Sequence, residues 1–411
     1  MNLSHALARP IVRNEPSFFS RRLRARLRGL AHGSVTLVHS GATETFGEAV
    51  DGAPSAEVVV HHPRAFRRVA LGGTLGAAES FIDGDWTTND LTALVRVLLR
   101  NADTMSGLEA GAARYGALAA RFWAALRRNT RHGSRRNISA HYDLGNDFFE
   151  RMLDPTLAYS SAVFPSPGAT LEEASRHKLD LVCRKLALGP SDHLLEIGGG
   201  WGSLALHAAE QTGARVTTTT ISREQYGTTA ERIRRAGLGD RITLLERDYR
   251  DLEGRFDKLA SIEMIEAVGP EYYATYFRRA AELLAPRGRF LLQAITIADQ
   301  NYERHRREVD FIKRHVFPGS SLPSVTALLD NATRASDLRL LDLEDYGPHY
   351  ARTLAEWRKN LEPHAGWVVA RYGERFWRTW QFYLAYCEAG FAEGYISVVQ
   401  MLFERPQWRQ A

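Results

Sequence analysis

Cysteine is scarce: Cys183 and Cys387 are the only two in 411 residues. That excludes a disulfide framework, and neither has the neighbours of a metal or redox motif, so both read as buried thiols in helical apolar patterns. Long apolar runs are also missing. None reaches the roughly eighteen residues of a membrane span, and Arg9, Pro10 and Arg13 interrupt the start before a signal-type apolar region develops, so a cytoplasmic protein is expected. Net charge is only +5, with the arginines in stripes that suit nucleic acid, an anionic membrane face or plain solvent, and charge alone does not choose among them; no nucleic acid is expected as a partner. His141, His305 and His315 lack ligand spacing, so no metal is expected. There is no internal repeat and no low-complexity tract.

What the chain does have is an ordinary globular composition, 44% hydrophobic and 25% charged, and one outstanding stretch, Leu194 to Trp201, LLEIGGGW. Leu194, Leu195 and Ile197 make the apolar run of a strand buried on both faces. Gly198, Gly199, Gly200 and Gly202 then allow a tight turn into a helix from about Ser203. Strand, glycine turn and helix form the first unit of a nucleotide-type site, with the ligand beyond the strand's carboxyl end. Ser203 stands where a dinucleotide fingerprint wants glycine or alanine, and the Lys of a phosphate loop is absent. Glu196 would repel a pyrophosphate but suits a cation, and S-adenosylmethionine carries a sulfonium and an ammonium. A purely structural glycine turn is the alternative on this motif alone.

The first twenty residues look poorly structured. SRRLRARLRGLAHG follows, with Leu23, Leu27 and Leu30 on one helical stripe among arginines, a pattern that suits an anionic membrane surface as well as a solvated face. Period-two segments between Ser34 and Val60 predict a small antiparallel sheet. PRAFRRVALGGTLGAAESFIDGDW has helical spacing with a Gly-Gly break, and DLTALVRVLLRN is an amphipathic helix with an Asp cap. A further helix is expected over 107–126, then a polar linker. The division is therefore residues 1–133, a small α+β domain with a basic linker, and residues 134–411.

From 171 the pattern alternates: helix 171–187, strand 193–197, helix 203–211, strand 215–220, helix 223–236, strands 242–246 and 257–262, helix 271–285 and strand 288–294. This is α/β, a doubly wound, Rossmann-like domain on a parallel sheet. From Asn301 onward the chain reads as largely helical and aromatic-rich, a lid able to wall a hydrophobic tunnel. At the strand ends, Thr220 and Gln225 in TISREQ can hold a ribose or a methionine carboxylate. Asp248 and Tyr249 in RDYRD can take an adenine, and Glu263 and Glu266 in SIEMIEAVG fall where such sheets place their chemistry.

With HYDLGNDFFERMLDPTLAYSSAVF (141–164), HRREVDFIKRHVFPGSSLPS (305–324), GPHYARTLAEWRKN (347–360) and FYLAYCEAGF (382–391), these stretches resemble the cyclopropane-fatty-acyl-phospholipid synthase family, which includes the mycolic acid cyclopropane synthases. The resemblance is nearly full-length. It implies transfer of a methyl carbon from S-adenosylmethionine to the double bond of an unsaturated phospholipid acyl chain, at the inner membrane face, by a peripheral enzyme that is often a dimer. It also implies a carbocation, and a bound bicarbonate ion that removes the last proton.

Carried over by motif, the donor site is Tyr159, Ser160, Gly198, Gly200, Thr220, Gln225 and Tyr249. The bicarbonate site is Glu266, the Ile295 amide and Tyr350, with Ser161 where the family has cysteine and Gln293 where it has histidine. Glu263 competes with Glu266 on strand-end position, while the resemblance favours Glu266. The altered pair leaves two outcomes, a cyclopropane ring or a methyl or methylene branch, and a catalytically silent lipid-binding homologue is the third alternative.

Overall fold

The computed structural model describes residues 17–105 and 144–406. These form two compact units, one on either side of residues 106–143. The expected boundary near 133, the helix over 107–126 and His141 lie outside the described residues.

The first unit comprises α1 (Phe18–Leu27), β1 (Ser34–His39), β2 (Ala42–Gly47), β3 (Ser55–Val60), α2 (Arg64–Ile82), β4 (Trp86–Thr88), α3 (Leu91–Arg100) and α4 (Ala102–Met105). The sheet order is β2-β1-β3-β4. It is mixed, which corrects the antiparallel expectation: β1 and β2 form a hairpin, but β3 crosses to the far edge of β1 and pairs with it in parallel. The Gly-Gly break in α2 is real, with Gly73 at φ 54°. Asp90 caps α3, accepting from the Ala93 amide at 2.8 Å. Leu27 and Leu30 turn into the core, and Arg24 pairs with Glu44 at 2.8 Å, so the leucine stripe of α1 packs within this unit. Arg22 and Arg28 remain exposed.

The second unit contains α5 (Asn146–Met152), α6 (Leu171–Leu186), β5 (His193–Ile197), α7 (Ser203–Thr212), β6 (Arg215–Thr219), α8 (Arg223–Arg235), β7 (Ile242–Leu245), β8 (Phe256–Ile262), α9 (Tyr273–Leu283), β9 (Leu284–Ile297), α10 (Asp299–Arg307), α11 (Val325–Ala335), β10 (Arg339–Asp345), α12 (Gly347–Leu361), α13 (Ala365–Tyr372), α14 (Glu374–Ala392) and β11 (Ile396–Glu404). The α6 start is a full capping box, Thr170 with Glu173. Successive strand residues face opposite ways. Leu194 and Leu291 pack with α6, α7 and Ile233 of α8, whereas Leu195, Phe290 and Leu292 pack with α9 and α11. The result is a three-layer α/β unit.

Strand order is β10-β11-β9-β8-β5-β6-β7. The run from β9 to β7 is parallel, as expected. The two outer strands are antiparallel and lie in the region read as largely helical. ISVVQMLF is buried along most of its length, so it lacks the alternation that marks a one-faced strand. From β5 the chain winds one way to β6 and β7, and β8 and β9 lie on its other side. The switch point therefore lies between β5 and β8, where an open α/β sheet has its ligand crevice.

Candidate active site

The end of β5 supplies the glycine turn. Gly198 has φ 85°, and a Cβ there would meet the Met264 side chain at 2.9 Å; at Gly199 it would meet Thr218 Oγ1 at 2.0 Å. Only glycine fits this cradle. Beneath it Glu196 is buried and accepts from Thr218 Oγ1 at 2.6 Å. Burial pushes its carboxyl up to about 7, against the pull of that hydrogen bond and of the Lys178 charge.

Lys178, on α6, is the residue that the sequence reading missed. Its ammonium is 1% exposed, and its one hydrogen bond among the described residues goes to Ser160 Oγ at 2.8 Å. An ammonium has three N–H groups, so two are left without an acceptor among the described residues. Burial lowers its pKa, while Glu263, Asp154 and Glu196 hold it up.

Around the turn, Thr220 Oγ1 donates to Gln225 Oε1 at 2.9 Å, and both are buried, so Gln225 is not a surface amide. Ser222 provides the α8 cap. Asp248, read as an adenine acceptor, instead receives Arg250 through both oxygens, at 2.8 and 2.7 Å. Tyr249 is buried, its hydroxyl has no hydrogen-bond partner among the described residues, and burial pushes that group up to about 12. Tyr159 Oη lies 3.0 Å from Tyr383 Oη, and its ring sits 5.2 Å from that of Trp357. A glycine cradle, a buried carboxylate, a buried ammonium with spare donors and an orphaned tyrosine hydroxyl fit a ligand with cationic and carboxylate ends and an aromatic base. S-adenosylmethionine has all three.

The second half of the site is built on the ends of β8 and β9. Glu263 follows β8 directly and has φ 51°, a left-handed conformation that costs a non-glycine residue roughly 1–2 kcal/mol. Its amide donates to the Gln293 carbonyl at 2.8 Å. Its carboxylate is the meeting point of three donors. The Ser161 amide reaches Oε1 at 2.9 Å, Gln293 Nε2 reaches Oε1 at 2.7 Å, and Tyr350 Oη reaches Oε2 at 2.7 Å. Gln400 of β11, paired in register with Gln293, donates to Gln293 Oε1 at 2.9 Å and so turns the Gln293 amino group toward Glu263. Burial raises the Glu263 pKa, and the three donors and Lys178 oppose the rise.

Glu266 lies one short turn further on. Its Oε1 accepts from the Ile295 amide, and its Oε2 has no partner among the described residues. Burial and the Glu263 charge raise it to about 8, so the two neighbouring carboxyls disfavour each other's ionisation. The five groups expected to cradle bicarbonate thus lie together, but their N–H and O–H donors already serve Glu263 and Glu266. The place where their donors converge is taken by the Glu263 carboxylate, and a second anion there would meet that like charge. The residues present do not fit a bound bicarbonate.

Aromatic rings wall this region. Tyr350 lies 4.4 Å from Phe391 and 6.0 Å from Trp357, and Trp357 is fully buried with its indole N–H unpartnered among the described residues. Both thiols are free; Cys183 is buried as expected, Cys387 is half-buried, and desolvation raises each, Cys183 to about 12. No group of three or more metal-binding side chains occurs among the described residues, and no described helix is long and apolar enough to cross a membrane.

Residues 129–401 match the family described as mycolic acid cyclopropane synthetase. The tuberculostearic acid methyltransferase UfaA1 of Mycobacterium tuberculosis is 37% identical over 91% of this chain and 88% of its own. The cyclopropane-fatty-acyl-phospholipid synthase of Escherichia coli is 35% identical over 87% of this chain and 90% of its own. Mycolic acid cyclopropane synthase CmaA1, solved in complex with SAH and CTAB, superposes with a TM-score of 0.62 at 32% identity, covering 66% of this chain and 98% of that one.

Proposed function

The chain belongs to the mycolic acid cyclopropane synthetase family and is an S-adenosylmethionine-dependent methyltransferase of the cyclopropane synthase type, and from that premise we propose that it adds one carbon to the double bond of an unsaturated fatty acyl chain of a phospholipid, forming a cyclopropane ring. When bound, S-adenosylmethionine supplies an electrophilic methyl group on a sulfonium. Gly198, Gly200, Thr220, Gln225 and Tyr249 are assigned to its adenosyl part, and Tyr159 and Ser160, with Lys178, to its methionyl end.

The alkene is a weak nucleophile, so this reaction needs alignment and exclusion of water. The rings of Tyr350, Trp357, Phe391 and Tyr159 supply an apolar wall whose π faces favour a developing cation. The observation that carries this reading is a pair of carboxylates, Glu266 buried and Glu263 half-buried, set at the sheet's switch point beside that wall.

A second reading keeps every step up to the cation and ends in a methyl or methylene branch. It is favoured by Ser161 and Gln293, which replace the cysteine and histidine implied by the resemblance, and by the similarity to UfaA1. Mass spectrometry of phospholipid acyl chains from cells expressing the protein decides between them, since ring and branch fragment differently after derivatisation. Chains gaining one carbon as a ring support the first reading, a branch supports the second, and unmodified chains refute both. The phospholipid is taken from an anionic membrane surface, with Arg22 of α1 and Arg28 just after it as the contact assigned to it.

A further inference from the structure

Catalysis here requires a base at the point where the new methyl group must lose a proton. We propose that the carboxylate of Glu263 is that base, built into the chain in the place that a dissociable bicarbonate would take, so that the enzyme works without bicarbonate. The inference rests on the alkene methyl transfer proposed above.

Three observations carry it. The Ser161 amide, the Gln293 amide and the Tyr350 hydroxyl converge on one acceptor, and that acceptor is Glu263, at 2.9, 2.7 and 2.7 Å. The geometry is held from behind by Gln400, which fixes which end of the Gln293 amide faces the carboxylate. Glu263 also keeps a backbone conformation, φ 51°, that side chains avoid, and strain of this kind persists where surrounding contacts over-determine it.

The chemistry balances with no further reactant. A proton passes from the new methyl carbon to a Glu263 oxygen, and the C–H electron pair forms the new bond to the cationic carbon, closing the ring. In the branched outcome a hydride first shifts between the two former alkene carbons, and the same pair becomes the double bond of a methylene group. The carboxylate becomes a carboxylic acid in either case and returns its proton to water on product release. A tethered base also needs no separate binding step, which is the advantage of an intramolecular group over a dissolved one.

The test uses the full-length protein with phospholipid vesicles and three variants of the assay. In buffer stripped of carbon dioxide, the wild-type protein should form product at an unchanged rate. Glu263→Gln, which keeps the shape but cannot take a proton, should lower the rate at least about a hundredfold while S-adenosylmethionine affinity, measured by calorimetry, stays within about threefold. Glu263→Gly relieves the backbone strain and opens a carboxylate-sized gap among the same donors. ¹³C-bicarbonate should broaden on titration with this variant and not with the wild-type protein, and millimolar bicarbonate should restore part of its activity. A wild-type rate that falls on stripping and recovers with bicarbonate, bicarbonate binding to the wild-type protein, or near-normal turnover by Glu263→Gln would each overturn the assignment. Wild-type protein that makes no methylated acyl chain in any buffer would instead refute the reaction proposed above.

Discussion

At the scale of single residues the site is a matter of which charges are kept. Glu266 has its folded pKa raised to about 8 from an ordinary 4.5. Between those values the folded protein holds a proton that the unfolded chain has released, so stability falls as pH rises through this window and levels off above it. Replacing Glu266 by Gln removes that proton linkage. The melting temperature of the wild-type protein is expected to drop more steeply from pH 5 to pH 8 than that of Glu266→Gln, and parallel curves would show that Glu266 is already ionised. Lys178 poses the opposite question. A charge-assisted hydrogen bond contributes about 1.5–3 kcal/mol, so Lys178→Met should weaken S-adenosylmethionine binding by roughly tenfold to a hundredfold. Decarboxylated S-adenosylmethionine should bind the two proteins almost equally. Equal losses for both ligands would move Lys178 from the carboxylate to a general structural role.

At the scale of elements, the two central polar residues of the apolar strands β9 and β11 face each other, Gln293 and Gln400. Gln400 can be tested apart from the acid it serves. Gln400→Leu removes the donor that orients Gln293 and should lower kcat about tenfold with KM for the methyl donor unchanged. Gln400→Glu, which accepts where Gln400 donates, draws the Gln293 amino group away from Glu263 and should be worse. A kcat indifferent to both would show that Gln293 needs no partner. Helix α1 makes a different case, because its arginines do not form one face. Arg24 is 15% exposed and paired to Glu44, and Arg26 donates to the Thr104 carbonyl at 3.0 Å, so both serve the fold. Neutralising the exposed Arg22 and Arg28 should weaken binding to anionic vesicles at low salt, by about 1 kcal/mol per charge. Retained binding would take the membrane role from this helix.

At the scale of the whole molecule, the parallel strands β5 to β9 and their order along the chain were legible because apolar runs alternate with amphipathic helices. The glycine turn and the Thr220–Gln225 pair were legible because they sit at fixed offsets from those strands. Lys178 was hidden by its own helix, since LEEASRHKLDLVCRKL reads as an ordinary amphipathic stretch in which a lysine faces water. Glu263 could be nominated but not ranked, because its donors come from residues 30, 87 and 102 positions away. Gln400 lies 107 positions from Gln293, in a strand whose even burial hid its period. That separation has a consequence for how the protein is made. On a ribosome, β9 emerges long before β11, so Gln293 waits unoriented while the helices and β10 between them are synthesised. Only when β11 docks does the amide lock toward Glu263, and the enzyme gains its working centre in the same step that extends its sheet.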